Sequence, residues 1–451
     1  MVNVTNLMPP AGRQPGSPSR PGRLASSQPL RLVEAASGLD VTALSAALVD
    51  RELMAAWRRL YAAQPAPSNP FLAPAWVLGW YDRYVRPQDQ VLLVVRRPGA
   101  PGPDGVVAIA PMHLHRSGVG PLPIARRLLP VGAGIGPNAL EIPGLLCAPE
   151  TAGQVLRALA TACLKVPAHW AEIALTPEQG WFDRDWAAPP SAAMAFGEPV
   201  RPRACVVLPL QPTWEATRAG LKRNIKESIR RSANRLKKDG RPWHVVRRSS
   251  DLDEESVERF LRLHSARSAA STTNRHHPDA YRDDQSRQLM LDVLPELGRH
   301  GGASMFELYL DGDQVASQLA LHAPGTSYVH SSGFREDTWA LGVITHLQAE
   351  LVRHAIDRGD TVVNFSPGPN VSKTRWSESL WITQEFAFGA GPRTLIGRHA
   401  VFTALSAVRT TLDAAAWRRS QTGGAGTPAA AESSVTPARQ QQQHSQGDSS
   451  R

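Results

Sequence analysis

The sequence predicts an α+β protein built from two copies of one strand–helix–strand unit. Two observations carry this. Three apolar runs, 304–310, 315–321 and 327–332, are joined by turns at Asp311-Gly312-Asp313 and at residues 323–326. A helix opening near Gly342 and a strand at 362–365 follow them. A looser version of the same order lies upstream: strands at 91–96 and 106–113, a helix at 152–165 and a strand at 171–175. The 451 residues leave room for two domains of ordinary size plus tails.

Taken in order, residues 1–38 are rich in Pro, Gly, Ser and Arg and read as a disordered tail. The first folded block, 39–210, starts with a helix expected over 43–63 on the spacing of Leu44, Leu48, Leu53, Trp57 and Leu60. Asn69-Pro70-Phe71 breaks the chain before an aromatic-rich helix at 74–84. A glycine-rich stretch, 131–136, leads to an apolar run at 140–146. The second block, 211–392, opens with a basic helix expected over 214–239, its stripe formed by Leu221, Ile225, Ile229 and Leu236 and its end set by Gly240. Helices at 253–269 and 280–297 precede the three-stranded meander, and a last strand falls at 382–388. Residues 393–451 hold an amphipathic helix expected at 395–417 and a second disordered tail.

A net charge of +10 and a pI of 10.0 make acidic partners plausible without choosing among phosphates, anionic lipid and nucleic acid. The cysteines Cys147, Cys163 and Cys205 form no CxxC and no Cys/His cluster, so neither a disulfide scaffold nor a metal site is expected. Each reads as a small core residue. No secretory leader pattern and no run approaching the roughly 20 apolar residues of a membrane span occurs, which predicts a cytoplasmic protein. Gly132, Gly134 and Gly136 do not form GxGxxG, because position 137 is Pro; a dinucleotide site is rejected.

Four features together resemble a family: Asn69-Pro70-Phe71 with Trp76 and Trp80; the basic helix from Lys222 to Leu236; the hairpin from Leu310 to Ala316; and the segment Asn364 to Gly368 followed by Lys373 and Trp376. Over roughly residues 40–392 the chain resembles tandem GNAT-fold acyltransferases of the CelD type, associated with cellulose and exopolysaccharide synthesis, and the related Fem-type peptidyltransferases. The resemblance implies duplicated GNAT-like domains and an acetyl-CoA or other acyl-CoA co-substrate. It departs in two places. Asn364 stands where the family usually has Asp, and residues 339–342 lack the glycine-rich turn relatives often carry.

Within that resemblance, Leu341, Gly342 and Val343 are the expected pyrophosphate-binding backbone, since a helix start presents free N–H groups and a favourable dipole to anions. Gly342 can equally serve only to tighten a strand-to-helix turn. Lys373, Trp376, Asn364 and His264 are candidates for acceptor binding, and His330 or Glu307 for the base that removes the amine's proton. Core packing is the plain alternative for each. The basic helix at 222–238 is either an anionic-partner surface or a solvated face; without interleaved aromatics it does not suggest single-strand stacking. The expected function is acyl-CoA-dependent N-acyl transfer, with acetyl as the expected group, to a cell-envelope or polysaccharide-related saccharide or peptide amine. The alternatives are Fem-like transfer from aminoacyl-tRNA and a non-catalytic accessory role in polysaccharide synthesis.

Overall fold

A computed structural model of the chain describes residues 29–33, 38–100, 102–119, 122–136, 141–179, 196–270, 279–389, 397–401 and 403. Most of the expected tails and nearly all of the expected 395–417 helix lie outside the described residues, but the tail expected over 1–38 is corrected at Leu30–Val33, which form a strand against residues 41–43. Two passes of one pattern make up the fold. The first contains β1 (Leu30–Val33), β2 (Asp40–Leu44), α1 (Arg51–Ala62), α2 (Pro74–Tyr84), β3 (Gln90–Arg96), β4 (Val106–Val119), β5 (Leu122–Pro130), β6 (Leu146–Cys147), α3 (Ala152–Cys163), β7 (Trp170–Leu175) and β8 (Phe196–Pro209). After α4 (Trp214–Gly220) and α5 (Arg223–Asp239), the second contains β9 (Trp243–Arg248), α6 (Glu254–Ala269), α7 (Asp284–Arg299), β10 (Ala303–Leu310), β11 (Asp313–Ala323), β12 (Thr326–Phe334), α8 (Val343–Asp357), β13 (Val362–Pro367), α9 (Val371–Thr374) and β14 (Leu380–Gly389).

The pairing repeats as closely as the order does. β2, β3, β4 and β5 form an antiparallel meander, and β5 then runs parallel to β7. Likewise β9, β10, β11 and β12 are antiparallel neighbours, and β12 runs parallel to β13. The sixth strand of each pass is exchanged: β8 pairs with β13 of the second pass, and β14 pairs with β7 of the first. Because β8 and β14 also pair with each other, the described residues form one continuous sheet of fourteen strands. This is a tandem GNAT fold in which the two GNAT-like halves share one sheet rather than each closing its own. The strand exchange carries each pass across the boundary expected near residue 210.

Three cores follow from that sheet. On one face α1 and α2 from the first pass meet α6 and α7 from the second, burying Trp57, Trp76, Trp80, Phe260, Leu289 and Tyr328 together. The opposite face is covered by α3 over the first pass, and by α5 and α8 over the second.

Local chemistry explains the element bounds. The helix expected from Ala43 begins instead at Arg51, where the Asp50 side chain accepts from the Leu53 N–H; residues 40–44 are a strand against β3. The long basic helix is broken at Leu221 and Lys222, whose extended backbone turns the buried Leu221 inward before α5 resumes. Gly240, at φ 84°, ends it as expected. Asp253 and Asp283 cap α6 and α7, which places the start of α7 later than the expected Ala280. No helix among the described residues is long and apolar enough to cross a membrane.

Candidate active site

The parallel ladder between β12 and β13 lasts only from Thr326 to Tyr328, opposite Val362 to Asn364. Beyond it the two strands part. At the same place β12 carries an extra residue relative to β11: Leu319 faces Ser331 while Ala320 faces Val329, leaving His330 as the bulge. α8 follows β12 and packs against it. Gly342 precedes that helix with φ 74°, a conformation side chains resist, and a Cβ there would lie 3.2 Å from the Ser232 Cβ of α5. Val343 is buried against the second core and Leu341 packs at its edge. The first turn of α8 has no acidic residue. By contrast, α3, its counterpart in the first pass, follows Pro149-Glu150-Thr151 and has no left-handed glycine at its start.

On the face shared by the two passes, several buried polar groups have no hydrogen-bond partner: both nitrogens of His330, Asn364 Nδ2, the indole nitrogens of Trp76 and Trp80, and both carboxylate oxygens of Glu141. Such groups are rare in folded proteins, and each calls for a partner or a role. Here they adjoin one another. The Phe71 ring lies 5.0 Å from Trp76, 5.1 Å from Tyr328 and 5.7 Å from His330. Asn364 sits opposite Tyr328 in the parallel register. Tyr281 donates or accepts at Ser331 Oγ, 2.8 Å away, and burial together with the Glu141 charge raises its phenol.

The expected site residues therefore divide. His330 is central, but burial pulls its imidazole down to about 3, so near neutrality it is an uncharged hydrogen-bonding group. Asn364 holds the Ser366 N–H with Oδ1 at 2.9 Å, leaving its amide nitrogen to donate. Lys373 Nζ donates to the Ser366 and Pro367 carbonyls at 3.2 and 2.7 Å, and burial lowers it to about 8. It thereby clamps the turn in which Ser366 takes φ 66°. Trp376 stacks on Phe365 in the core of the opposite face and does not reach the others. His264 packs beneath the bulge: its Nδ1 faces the Ser332 carbonyl at 3.0 Å and its Nε2 meets the Ala280 N–H at 3.4 Å, which fixes the proton on Nδ1.

Glu307 lies on β10, with β11 between it and His330. Its buried carboxylate accepts from Arg248 Nε at 2.9 Å and from the Tyr309 hydroxyl at 3.0 Å. Both bonds fall on Oε2, while Oε1 has no hydrogen-bond partner and lies 3.9 Å from Arg259 of α6, so the group ties β10 to its neighbours. Glu307→Gln is expected to cost about 2 kcal/mol in urea unfolding, because it removes the buried counter-charge of Arg248 and leaves that guanidinium only the exposed Asp251. Its transfer kcat should stay within about twofold of wild type; a loss of 100-fold or more (about 2.7 kcal/mol) at unchanged stability would make it the base instead.

The basic helix is more occupied than its composition suggests. Arg230 and Arg231 both bind Glu227, Arg235 donates to the Ala340 carbonyl at 2.7 Å, and Lys222 to the Thr374 carbonyl at 2.8 Å. Its apolar stripe faces the core over the second pass, and Ser232 of α5 packs against the Gly342 turn. Sequence reasoning missed Glu141 altogether.

Residues 223–374 match the acetyltransferase (GNAT) domain family, covering α5 through α9. Among solved structures, FemX is 12% identical with a TM-score of 0.52, over 74% of this chain and 95% of that one. A conserved protein of unknown function from Bacteroides thetaiotaomicron is 12% identical with a TM-score of 0.46, over 74% and 97% of the two chains. A tandem GNAT protein from the clavulanic acid biosynthesis pathway is 13% identical with a TM-score of 0.39, over 78% and 99%. No curated protein matches the sequence. The fold is a tandem GNAT fold, and the match to the acetyltransferase (GNAT) domain family runs from α5 through the second pass to α9.

Proposed function

We propose that the protein transfers an acyl group, with acetyl the simplest case, from coenzyme A to a primary amine on a cell-envelope or polysaccharide-related acceptor. The observation that carries this reading is the parted β12–β13 ladder beside the Gly342-headed helix, inside the matched domain. In it, the N-terminal N–H groups of α8 take the pyrophosphate and the thioester lies along the free edge of β12. Its carbonyl meets backbone donors near the bulge as negative charge develops on oxygen. The acceptor approaches from the face shared by the two passes. There the Asn364 amide and the neutral His330 ring orient it, with Lys373 holding the turn that positions Asn364. No covalent enzyme intermediate is required, because a positioned amine attacks the thioester directly.

Calorimetry with acetyl-CoA tests the donor half. Wild type should bind with a dissociation constant below millimolar. Gly342→Trp should weaken binding at least tenfold, since an indole at φ 74° against Ser232 obstructs the helix start. Gly342→Asn, which tolerates the left-handed region, should retain it. Wild-type protein that shows no heat at millimolar acetyl-CoA would overturn the reading and favour a non-catalytic role.

A further inference from the structure

The glycine-rich stretch that is no dinucleotide site has another use. Gly132, Gly134 and Gly136 adopt φ of 81°, 82° and 78°. Added Cβ atoms would lie 2.9 Å from Glu141 Oε2 at Gly132, 2.7 Å from Leu129 Cδ1 at Gly134, and 3.2 Å from Trp80 Nε1 at Gly136. The loop is bare because it closes directly over a carboxyl group and an indole. Glu141 is 1% exposed, yet neither of its oxygens has a hydrogen-bond partner. The Trp80 indole N–H faces it outside hydrogen-bond geometry, and the Tyr84, Tyr281 and Tyr328 phenols all feel its charge. The cation near it, Arg203, binds the buried Glu385 at 2.6 Å through Nε and the Glu141 backbone carbonyl at 3.4 Å. Tyr84 and Gly136, close to Trp80, are partly exposed.

A buried carboxyl ringed by aromatic rings suits a small organic cation: the rings present their negative faces and the carboxylate supplies the counter-charge. We infer that Glu141, roofed by the Gly132–Gly136 loop and walled by Trp80, Tyr84, Tyr281 and Tyr328, receives the primary ammonium group of the acyl acceptor and takes its proton. This rests on the acyl-transfer reading above and names the acceptor's chemical class and its base. Burial holds the Glu141 carboxyl up at about 8, so near neutrality the resting group is largely protonated. An arriving ammonium displaces that proton to solvent, then passes one of its own to the carboxylate and becomes a neutral amine. The amine nitrogen bonds to the thioester carbon, the C–S bond breaks, and its electron pair stays on sulfur. The second amine proton goes to that thiolate, giving the amide and free coenzyme A. Tyr328 links Glu141 to the donor slot: its phenol feels the Glu141 charge, its ring lies 6.1 Å from that of His330, and its backbone faces Asn364.

The test is calorimetric titration with n-butylammonium chloride at pH 7, in two buffers of different ionisation enthalpy. Wild type should bind saturably and release close to one proton per probe bound. Glu141→Gln should weaken the probe at least tenfold and abolish proton release, while acetyl-CoA binding stays unchanged. Glu141→Asp, which keeps the acid but withdraws it by one methylene, should bind more weakly yet still release a proton. Equal probe binding by wild type and Glu141→Gln, or no saturable binding by wild type, overturns the assignment. Failure of acetyl-CoA to bind any of the three proteins overturns the donor reading instead, and the two outcomes are separately visible.

Discussion

Glu141→Gln is expected to stabilise the folded protein at pH 8 and to leave it nearly unchanged at pH 4.5. The reasoning runs through protons. In the unfolded chain this carboxyl titrates near 4.5, whereas burial raises it to about 8 in the fold. A raised folded value means that the folded state holds a proton the unfolded state has lost. Stability from this group is therefore fully present below about 4.5 and drains away as pH rises, at about 1.4 kcal/mol per pH unit, until about pH 8. The whole interval corresponds to a loss on the order of 5 kcal/mol for wild type. Glutamine keeps the shape without the charge and escapes that loss. The groups facing Glu141 do not mask the effect: the Trp80 indole does not titrate, the Tyr84, Tyr281 and Tyr328 phenols are raised above this window, and Arg203 is joined to Glu385. Asp283, beside Tyr84, is common to both proteins. Urea midpoints for wild type and Glu141→Gln should diverge steadily from pH 5 to pH 8, the variant being the more stable. Parallel curves would show that the carboxyl reaches solvent in the fold.

That the variant is both more stable and impaired in ammonium binding is what a functional site entails. A buried, unpartnered acid is retained at a cost to stability, and the cost falls where chemistry needs the group.

The second pass of the fold was legible because its strands alternate, its turns carry Asp311-Gly312 and Gly325, and its helix begins at a glycine. The first pass was legible only in outline. β8 was missed since Pro199, Pro202 and Pro209 with Arg201 and Arg203 argue against a central strand, yet it lies between β13 and β14. β9 was missed because it is an edge strand, only partly covered and flanked by arginines. The exchange of β8 and β14 leaves no local mark, as either strand would read the same in its own half. Of the candidate site, Gly342, His330 and Asn364 are legible as a glycine at a helix start, a polar residue on an apolar strand and an amide at a strand end. Glu141 is not: one acid in a Gly/Pro-rich stretch has no periodicity, and its neighbours Trp80, Arg203, Tyr281 and Tyr328 come from distant parts of the chain. Trp376 was misjudged for a related reason. Its spacing from Lys373 suggested one cluster, while the intervening turn of α9 sends the two side chains to different places.

Gly333→Ala should be the most damaging single-methyl change in the second pass. Gly333 sits on β12 where α6 crosses it, and a Cβ there would lie 2.4 Å from the His264 backbone nitrogen and 2.5 Å from the Leu263 carbonyl carbon. Those are backbone atoms of a packed helix, so no rotamer change relieves the contact and α6 itself must shift. That helix is tied down at this point: His264 Nδ1 and Arg267 both reach the Ser332 carbonyl, and Arg267 also binds Ser332 Oγ at 2.7 Å. Overpacking of this kind costs about 1–3 kcal/mol, and the upper end is expected because the strained hydrogen bonds are buried. Gly301→Ala provides the contrast. Its φ of 70° is unfavourable for alanine, but nothing lies within 4 Å of the added carbon, so only the backbone term of about 1 kcal/mol applies. Guanidinium unfolding should place the Gly333 variant about 2 kcal/mol below the Gly301 variant at a common m-value. Acyl transfer should fall with it, since the shift of α6 reaches β12 next to the His330 bulge. Equal stability of the two variants would mean that α6 slides freely over β12, and the bulge would then owe nothing to the helix packed against it.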